Sequence, residues 1–118
     1  MSDSHIALHE IAHGRSGDKG NHANIGIIAY SQAGFEWLRS ELTEERVAEY
    51  FSGLQPTRVE RYELPGIQAF NFLLRDVLDG GGSRSLRIDS QGKTLGLALL
   101  EMQLPRPANV DQMYPSQV

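Results

Sequence analysis

The chain contains no cysteine, which excludes disulfide bonds, thiolate nucleophiles and iron–sulfur clusters. Any metal site would have to be built from histidine and carboxylate side chains. Only two lysines are present, Lys19 and Lys93, so the positive charge comes mainly from nine arginines. The formal net charge of −4 argues against a protein that binds nucleic acid through its phosphates. No run of about 18 apolar residues exists, so the sequence predicts no membrane-spanning helix.

The rest of the composition is that of an ordinary globular domain. Hydrophobic residues make up 40% of the chain and charged residues 22%, which excludes wholesale disorder. A length of 118 residues is sufficient for one hydrophobic core. The first residues lack a positive segment followed by an apolar stretch, so we expect a cytoplasmic protein. We predict one domain over residues 1–104 and a proline-containing extended tail over 105–118, either frayed or laid along a neighbouring subunit.

The pattern of apolar residues predicts alternating strands and helices. Strands are expected over residues 5–13, with a possible bulge near His9 and Glu10, and over 24–30 and 57–64. Gly26 inside the second strand suggests close approach by a helix or another backbone. Two helices are expected after Ser31 and Thr43, whose side chains can cap helix N-termini. The order of elements predicts an α+β sandwich, with helices packed on one face of a mainly antiparallel sheet.

Three further predictions concern residues between 53 and 104. Gly53 fits the left-handed residue that ends the second helix. Another helix is expected to start at Pro65-Gly66, because Ile67, Phe70, Leu74 and Val77 form an apolar stripe at helical spacing. Residues 94–104 fit either a short helix followed by a strand or a single long strand, and the first alternative is favoured.

The stretch from Arg15 to Asn24 has the composition of a functional loop. Gly14, Gly17 and Gly20 fall three residues apart, where a backbone can turn its N–H groups toward one point. Together with Arg15 and Lys19, such amides would suit a phosphate or a carboxylate. The alternative is a rigid turn in which Asp18 pairs with the nearby cations. The candidate ligand-binding residues here are Arg15, Ser16, Gly17, Gly20, Asn21 and Asn24.

A second glycine cluster, residues 80–85, is either another anion site or a chain-reversing hinge. Its candidate ligand-binding residues are Gly81, Gly82, Ser83 and Arg84. If the two clusters meet in space, Arg15, Lys19, Arg84 and Asp18 could line one pocket. Lys19 and Asp18 are also the candidate catalytic acid and base of a small enzyme whose pocket lies across a dimer. The sequence indicates no cofactor and no metal site.

Several of these motifs resemble a known family. They are Arg15 to Asn21, Ala23 to Gly26, Asn71-Phe72, Gly80 to Leu86 and Gln91-Gly92-Lys93. This set is similar to the small C-terminal ferredoxin-like domain of the acyclic terpene utilisation protein A family, over about residues 6–104. The resemblance implies a ferredoxin-like α+β fold and a link to the breakdown of acyclic terpenoid or branched acyl-CoA compounds. In that family the domain usually follows a much larger domain, so the chain resembles a free-standing version.

Three hypotheses for function remain open from the sequence. The favoured one is a companion subunit that binds a separately encoded large subunit and completes a site for a small acidic or acyl-CoA ligand. The second is an independent hydratase or isomerase acting as a homo-oligomer. The third is a structural oligomerisation module without a ligand. A sheet covered on one side only makes a homo-oligomer plausible in each case.

Overall fold

The computed structural model describes residues 4–19, 22–77 and 95–115, with only the backbone described for Asp18 and Lys19. The second glycine cluster, predicted as an anion site or hinge, lies outside the described residues. The strands are β1 (His5–Ala7), β2 (Ala12–Lys19), β3 (His22–Ala29), β4 (Arg58–Leu64), β5 (Ala69–Arg75) and β6 (Gln103–Pro105). The α-helices are α1 (Gln32–Glu41), α2 (Glu44–Tyr50) and α3, of which residues 95–100 are described. Short 3₁₀ turns cover Leu8–Glu10, Ser52–Leu54, Pro65–Ile67 and Val110–Gln112.

Four strands form an antiparallel sheet in the order β2-β3-β5-β4, and β1 pairs with β6 in a small second sheet. Burial alternates strictly along β3, where Ala23, Ile25, Ile27 and Ala29 are buried. Since successive side chains of a strand point to opposite faces, this alternation identifies one covered and one open face. The predicted α+β fold, with helices on one face of a mainly antiparallel sheet, is confirmed.

The covered face is closed by aromatic and aliphatic side chains of β5 and α1. Phe70 and Phe72 are fully buried, and the ring of Phe35 stacks on that of Phe70 with centroids 4.8 Å apart. Leu38 and Leu42 complete the apolar stripe of α1, as its spacing predicted. The face of β3 and β5 that carries the core is therefore fully occupied.

Both helix starts agree with the capping prediction. The hydroxyl of Ser31 accepts a hydrogen bond from the Gly34 amide at 3.0 Å, and that of Thr43 accepts one from Arg46 at 3.1 Å. The predicted left-handed role of Gly53 is wrong, because Gln55, with φ of 52°, adopts that conformation. Gly53 instead lies within the 3₁₀ turn that follows α2.

The helix predicted from Pro65-Gly66 is wrong, because the chain forms β5 there. Pro65 and Gly66 belong to a 3₁₀ turn that reverses the chain between β4 and β5. Phe70 and Leu74 are four residues apart, a spacing that fits a helix, yet they also fit the two-residue alternation of a strand. Pairing with β3 and β4 on both sides decides for the strand, because it satisfies the backbone groups of the whole segment.

The first predicted strand is interrupted and the first predicted loop is mostly strand. A 3₁₀ turn at Leu8–Glu10 separates β1 from β2, where a bulge was expected. Strand β2 then runs to Lys19 and pairs with β3 from Ala12↔Ala29 to Lys19↔His22. A long β-hairpin therefore replaces the predicted loop over residues 15–19 and 22–24.

The last part of the chain returns to the core. Helix α3 followed by β6 confirms the helix-then-strand interpretation. Val110 and Met113 are buried, and a Cβ atom placed on Gly34 of α1 would lie 3.7 Å from the Met113 Cβ. The described part of the tail thus packs on its own chain, because these two apolar residues fill a gap beside α1.

Candidate ligand site on the open face of the sheet

The open face of the sheet is organised in rows that run across the four strands. One row joins Arg15 of β2, Gly26 of β3, Asn71 of β5 and Tyr62 of β4. Directly opposed residues in neighbouring strands have Cβ atoms about 5 Å apart, so their side chains are within reach of each other. Arg15, Gly26 and Asn71 are distant in sequence and belong to the motifs quoted above for the family resemblance, and they share one row on this face.

The neighbouring row is apolar apart from one histidine. It joins His13, Ile28, Ala69 and Leu64. The ring of His13 lies against that of Tyr30, with centroids 5.4 Å apart. The open face therefore places a polar row directly beside an apolar row.

Gly26 produces a hollow where these two rows meet. Among the described residues, a Cβ atom there would find only the Arg15 carbonyl oxygen within 4 Å, at 3.9 Å. The close approach predicted for this glycine is therefore not made by any described residue. The hollow has a volume of about 350 Å³, which is within the range of small-molecule sites. Its lining residues are His13, Arg15, Gly26, Ile28, Leu64, Ile67, Ala69, Phe70 and Asn71.

Arg15 is the cation of this hollow and has no counter-charge within the described part of the chain. By contrast, an ion pair with glutamate is formed by each of Arg39, Arg46, Arg58, Arg61 and Arg75. The Arg15 side chain is exposed, and its five N–H donors form a planar fork that matches a carboxylate. An anionic ligand could therefore bind here without displacing a carboxylate of the described residues.

At the opposite end of the open face, the charged side chains pair with one another. Glu60 of β4 pairs with Arg58 at 3.0 Å and with Arg75 at 3.3 Å, and it accepts a hydrogen bond from the Tyr62 hydroxyl at 2.8 Å. Hydrogen bonds from Arg75 and then Tyr62 hold the pKa of Glu60 below its usual value. The same bond to Glu60 raises the pKa of Tyr62. Both arginines thus have a carboxylate partner, and the network lies outside the residues that line the hollow.

The predicted site residues do not all reach the hollow. Ser16 points to the covered face, where a Cβ atom on Gly96 of α3 would lie 2.6 Å from its Oγ. Gly17 and Asn24 pair with each other in the row beyond Arg15, on the open face but outside the hollow. The prediction of one continuous loop site is therefore replaced by a strand that divides these residues between two faces.

The other candidates are placed only in part. Asp18 and Lys19 lie at the end of β2, paired with Ala23 and His22, and their proposed acid–base roles stay a prediction. Gly20, Asn21, Gly81, Gly82, Ser83 and Arg84 lie outside the described residues. Whether the two glycine clusters meet therefore stays a prediction as well.

Sequence reasoning missed His13, Ile28, Ala69 and Asn71 as lining residues of one hollow. A glycine inside an apolar strand was the available signal, because the missing side chain leaves a gap on one face. The helix predicted around Asn71 hid its alignment with Arg15. Strand register is set by contacts between distant segments, so the row that contains Arg15 and Asn71 becomes visible only once the strands are paired.

Two further observations on the described segments concern metal binding and membrane-spanning helices. Their residues hold no group of three or more histidines and carboxylates placed to bind a metal ion. None of their helices is long and apolar enough to cross a bilayer.

The fold is that of a small α+β domain in which helices cover one face of the sheet and the described residues leave a hollow on the other. The sequence model of the AtuA ferredoxin-like domain family matches residues 6–105. The chain therefore belongs to the AtuA ferredoxin-like domain family, and the resemblance drawn from its motifs is confirmed. No curated protein and no solved structure matches the chain.

Proposed function

We propose that the chain is an accessory subunit in the breakdown of acyclic terpenoid or branched acyl compounds, and that its open sheet face is its working surface. Membership of the AtuA ferredoxin-like domain family supports the metabolic context. The observation that carries the proposal is the contrast between the two sheet faces. One face is filled by helices, and the other combines exposed apolar side chains with Arg15, which has no counter-charge among the described residues.

The partner that fits this face is a large subunit with an acidic, partly apolar surface. Leu64 and Ile67 are 44% and 62% exposed at the rim of the hollow, an arrangement typical of interaction surfaces. The charged side chains described on the face are Arg15, Arg58, Glu60 and Arg75, with a net positive sum, although the whole chain carries −4. Two copies meeting through this face would bring like charges together, which favours a different partner over a second copy.

A matched pair of variants tests the docking surface. Ile67 and Leu97 are 62% and 65% exposed, but Leu97 lies on α3 and does not line the hollow, although it borders a separate pocket that Arg15 also lines. The Ile67→Asp variant is expected to lose co-purification with the large subunit, because a carboxylate is introduced into the apolar rim. The Leu97→Asp variant is expected to retain it.

Growth of the native host connects the interaction to function. With Ile67→Asp in the chromosomal copy, growth on an acyclic terpenoid carbon source should be lost while growth on acetate continues. Sedimentation of the purified chain at rising concentration measures self-association directly. Normal growth of the Ile67→Asp strain on the terpenoid would refute the proposal, as would equal loss of partner binding in both variants.

A further inference from the structure

We infer that the hollow over Gly26 binds an aliphatic monocarboxylate, with the carboxylate held by Arg15 and Asn71 and the chain lying over Ile28 and Ala69 toward Ile67. This inference deepens the proposed function by naming a ligand class for the same face. It follows from the order of groups along the hollow, which runs from polar to apolar.

The polar end is built by two donors on either side of Gly26. Arg15 and Asn71 are the cross-strand neighbours of Gly26, one on β2 and one on β5. The guanidinium presents paired N–H donors, and the Asn71 amide supplies further donors, so both can reach the oxygens of one carboxylate. Neither side chain has a hydrogen-bond or ion-pair partner within the described residues.

The apolar end begins one row away. Ile28 and Ala69 form the floor, and Leu64 with Ile67 forms a wall where β4 turns into β5. Leu64 and Ile67 remain substantially exposed in the free protein, so covering them with a hydrocarbon chain removes apolar surface from water. A ligand with a charged head and an apolar tail matches both rows at once.

The charges at the hollow favour a ligand with a single negative charge. Arg58 and Arg75 share the one carboxylate of Glu60 outside the hollow, and Arg15 is the one arginine among the described residues that line the hollow. A polyanionic group such as a diphosphate would need more cations than the described hollow offers. The site therefore fits a free carboxylic acid better than the phosphate portion of a coenzyme A ester.

Titration of the full chain with simple probes tests the inference. Octanoate should bind with measurable heat, and octanol and acetate should each bind at least about tenfold more weakly, because each lacks one half of the ligand. Geranate and geraniol repeat the comparison with a branched chain and show which chain shape is preferred. Equal affinity for octanoate and octanol would overturn the inference, since the carboxylate would then not be recognised.

Three substitutions locate the site. Gly26→Val places two methyl groups in the hollow, on a Cβ atom whose nearest contact among the described residues is the Arg15 carbonyl oxygen at 3.9 Å, and should abolish octanoate binding while the thermal midpoint is maintained. Arg15→Gln should weaken binding roughly tenfold or more, and Arg15→Lys should weaken it less, because the charge remains while the fork is lost. Unchanged binding in Gly26→Val refutes the hollow.

Gly17→Val is the control variant, because Gly17 lies nearer the end of the β2–β3 hairpin than Gly26 does. A Cβ atom on Gly17 would meet none of the described residues within 4 Å, and this glycine lies on the same face one row away. Loss of binding in Gly17→Val with retention in Gly26→Val would place the ligand at the hairpin end and overturn the inference. The opposite pattern supports it.

The ligand proposal and the docking proposal can be refuted independently of each other. Octanoate binding that depends on Gly26, together with no effect of Ile67→Asp on the large subunit, would leave the ligand site standing and remove the docking proposal. Partner binding that depends on Ile67, together with no octanoate binding, would do the reverse.

Discussion

The two faces of the sheet use the same strands for opposite purposes. On the covered face of β5, Phe70 and Phe72 are fully buried against α1, whereas Asn71, between them, lies on the open face beside Gly26. Glycines show the same contrast. Gly96 of α3 is packed against Ser16 on one side, whereas Gly26 on the other meets only the Arg15 carbonyl oxygen among the described residues. We therefore expect substitutions on the covered face to cost more stability than substitutions on the open face.

The largest difference between the faces should appear on truncating side chains of β5. Phe72→Ala is expected to lower the free energy of unfolding by about 3–5 kcal/mol, because it leaves a cavity in a closed core. Leu73→Ala, one residue further along and on the open face, should cost about 1 kcal/mol or less. Urea unfolding of both variants measures the two losses in free energy of unfolding. Comparable losses would mean that the open face is as tightly packed as the core.

The second difference concerns alanine at the two glycines. Gly96→Ala would place its Cβ 2.6 Å from the Ser16 Oγ and 2.8 Å from the Ser16 Cβ, so we expect a loss of about 1–3 kcal/mol despite the better helix propensity of alanine. Gly26→Ala should be neutral or stabilising by up to about 1 kcal/mol, because nothing obstructs it. Thermal melts should give a lower midpoint for Gly96→Ala and an unchanged or higher midpoint for Gly26→Ala.

A double variant sharpens the Gly96 result. If the contact with Ser16 causes the loss, Ser16→Gly should partly relieve it, and the two substitutions should be coupled by more than about 0.5 kcal/mol. Additive effects would show that Gly96→Ala acts through another part of α3.

The sequence predicted the covered face better than the open one. The helix caps at Ser31 and Thr43 and the buried stripe of α1 depend on neighbouring residues, and local chemistry was sufficient to find them. β5 was misread as a helix because Phe70 and Leu74 satisfy both periodicities in a short run. Which residues lie opposite Gly26 depends on strand register, and this pairing is set by contacts between distant segments.

The smallest expected effect on stability is that of Glu60, at the end of the open face where the charged side chains pair with one another. This effect depends on pH. The pKa of Glu60 is lowered in the fold by its hydrogen bonds from Arg75 and Tyr62, so its ionised form stabilises the native state. This contribution is fully present above the ordinary glutamate pKa of about 4.3 and is lost as the pH falls through the lower folded value. The thermal midpoint of Glu60→Gln should therefore lie below that of the wild type near neutral pH, and the gap should close in acid.

Arg15→Gln provides the contrast for this pH dependence. Arg15 has no carboxylate partner within the described residues, so its removal should leave the thermal midpoint and its pH dependence unchanged. Thermal melts of the two variants between neutral pH and pH about 3 make the comparison, with the pH range set by the glutamate pKa. A gap for Glu60→Gln that persists in acid would show that Glu60 acts by packing rather than by charge. A pH-dependent gap for Arg15→Gln would show that Arg15 does have a carboxylate partner in the folded protein, and the hollow would then lack the free cation on which its ligand depends.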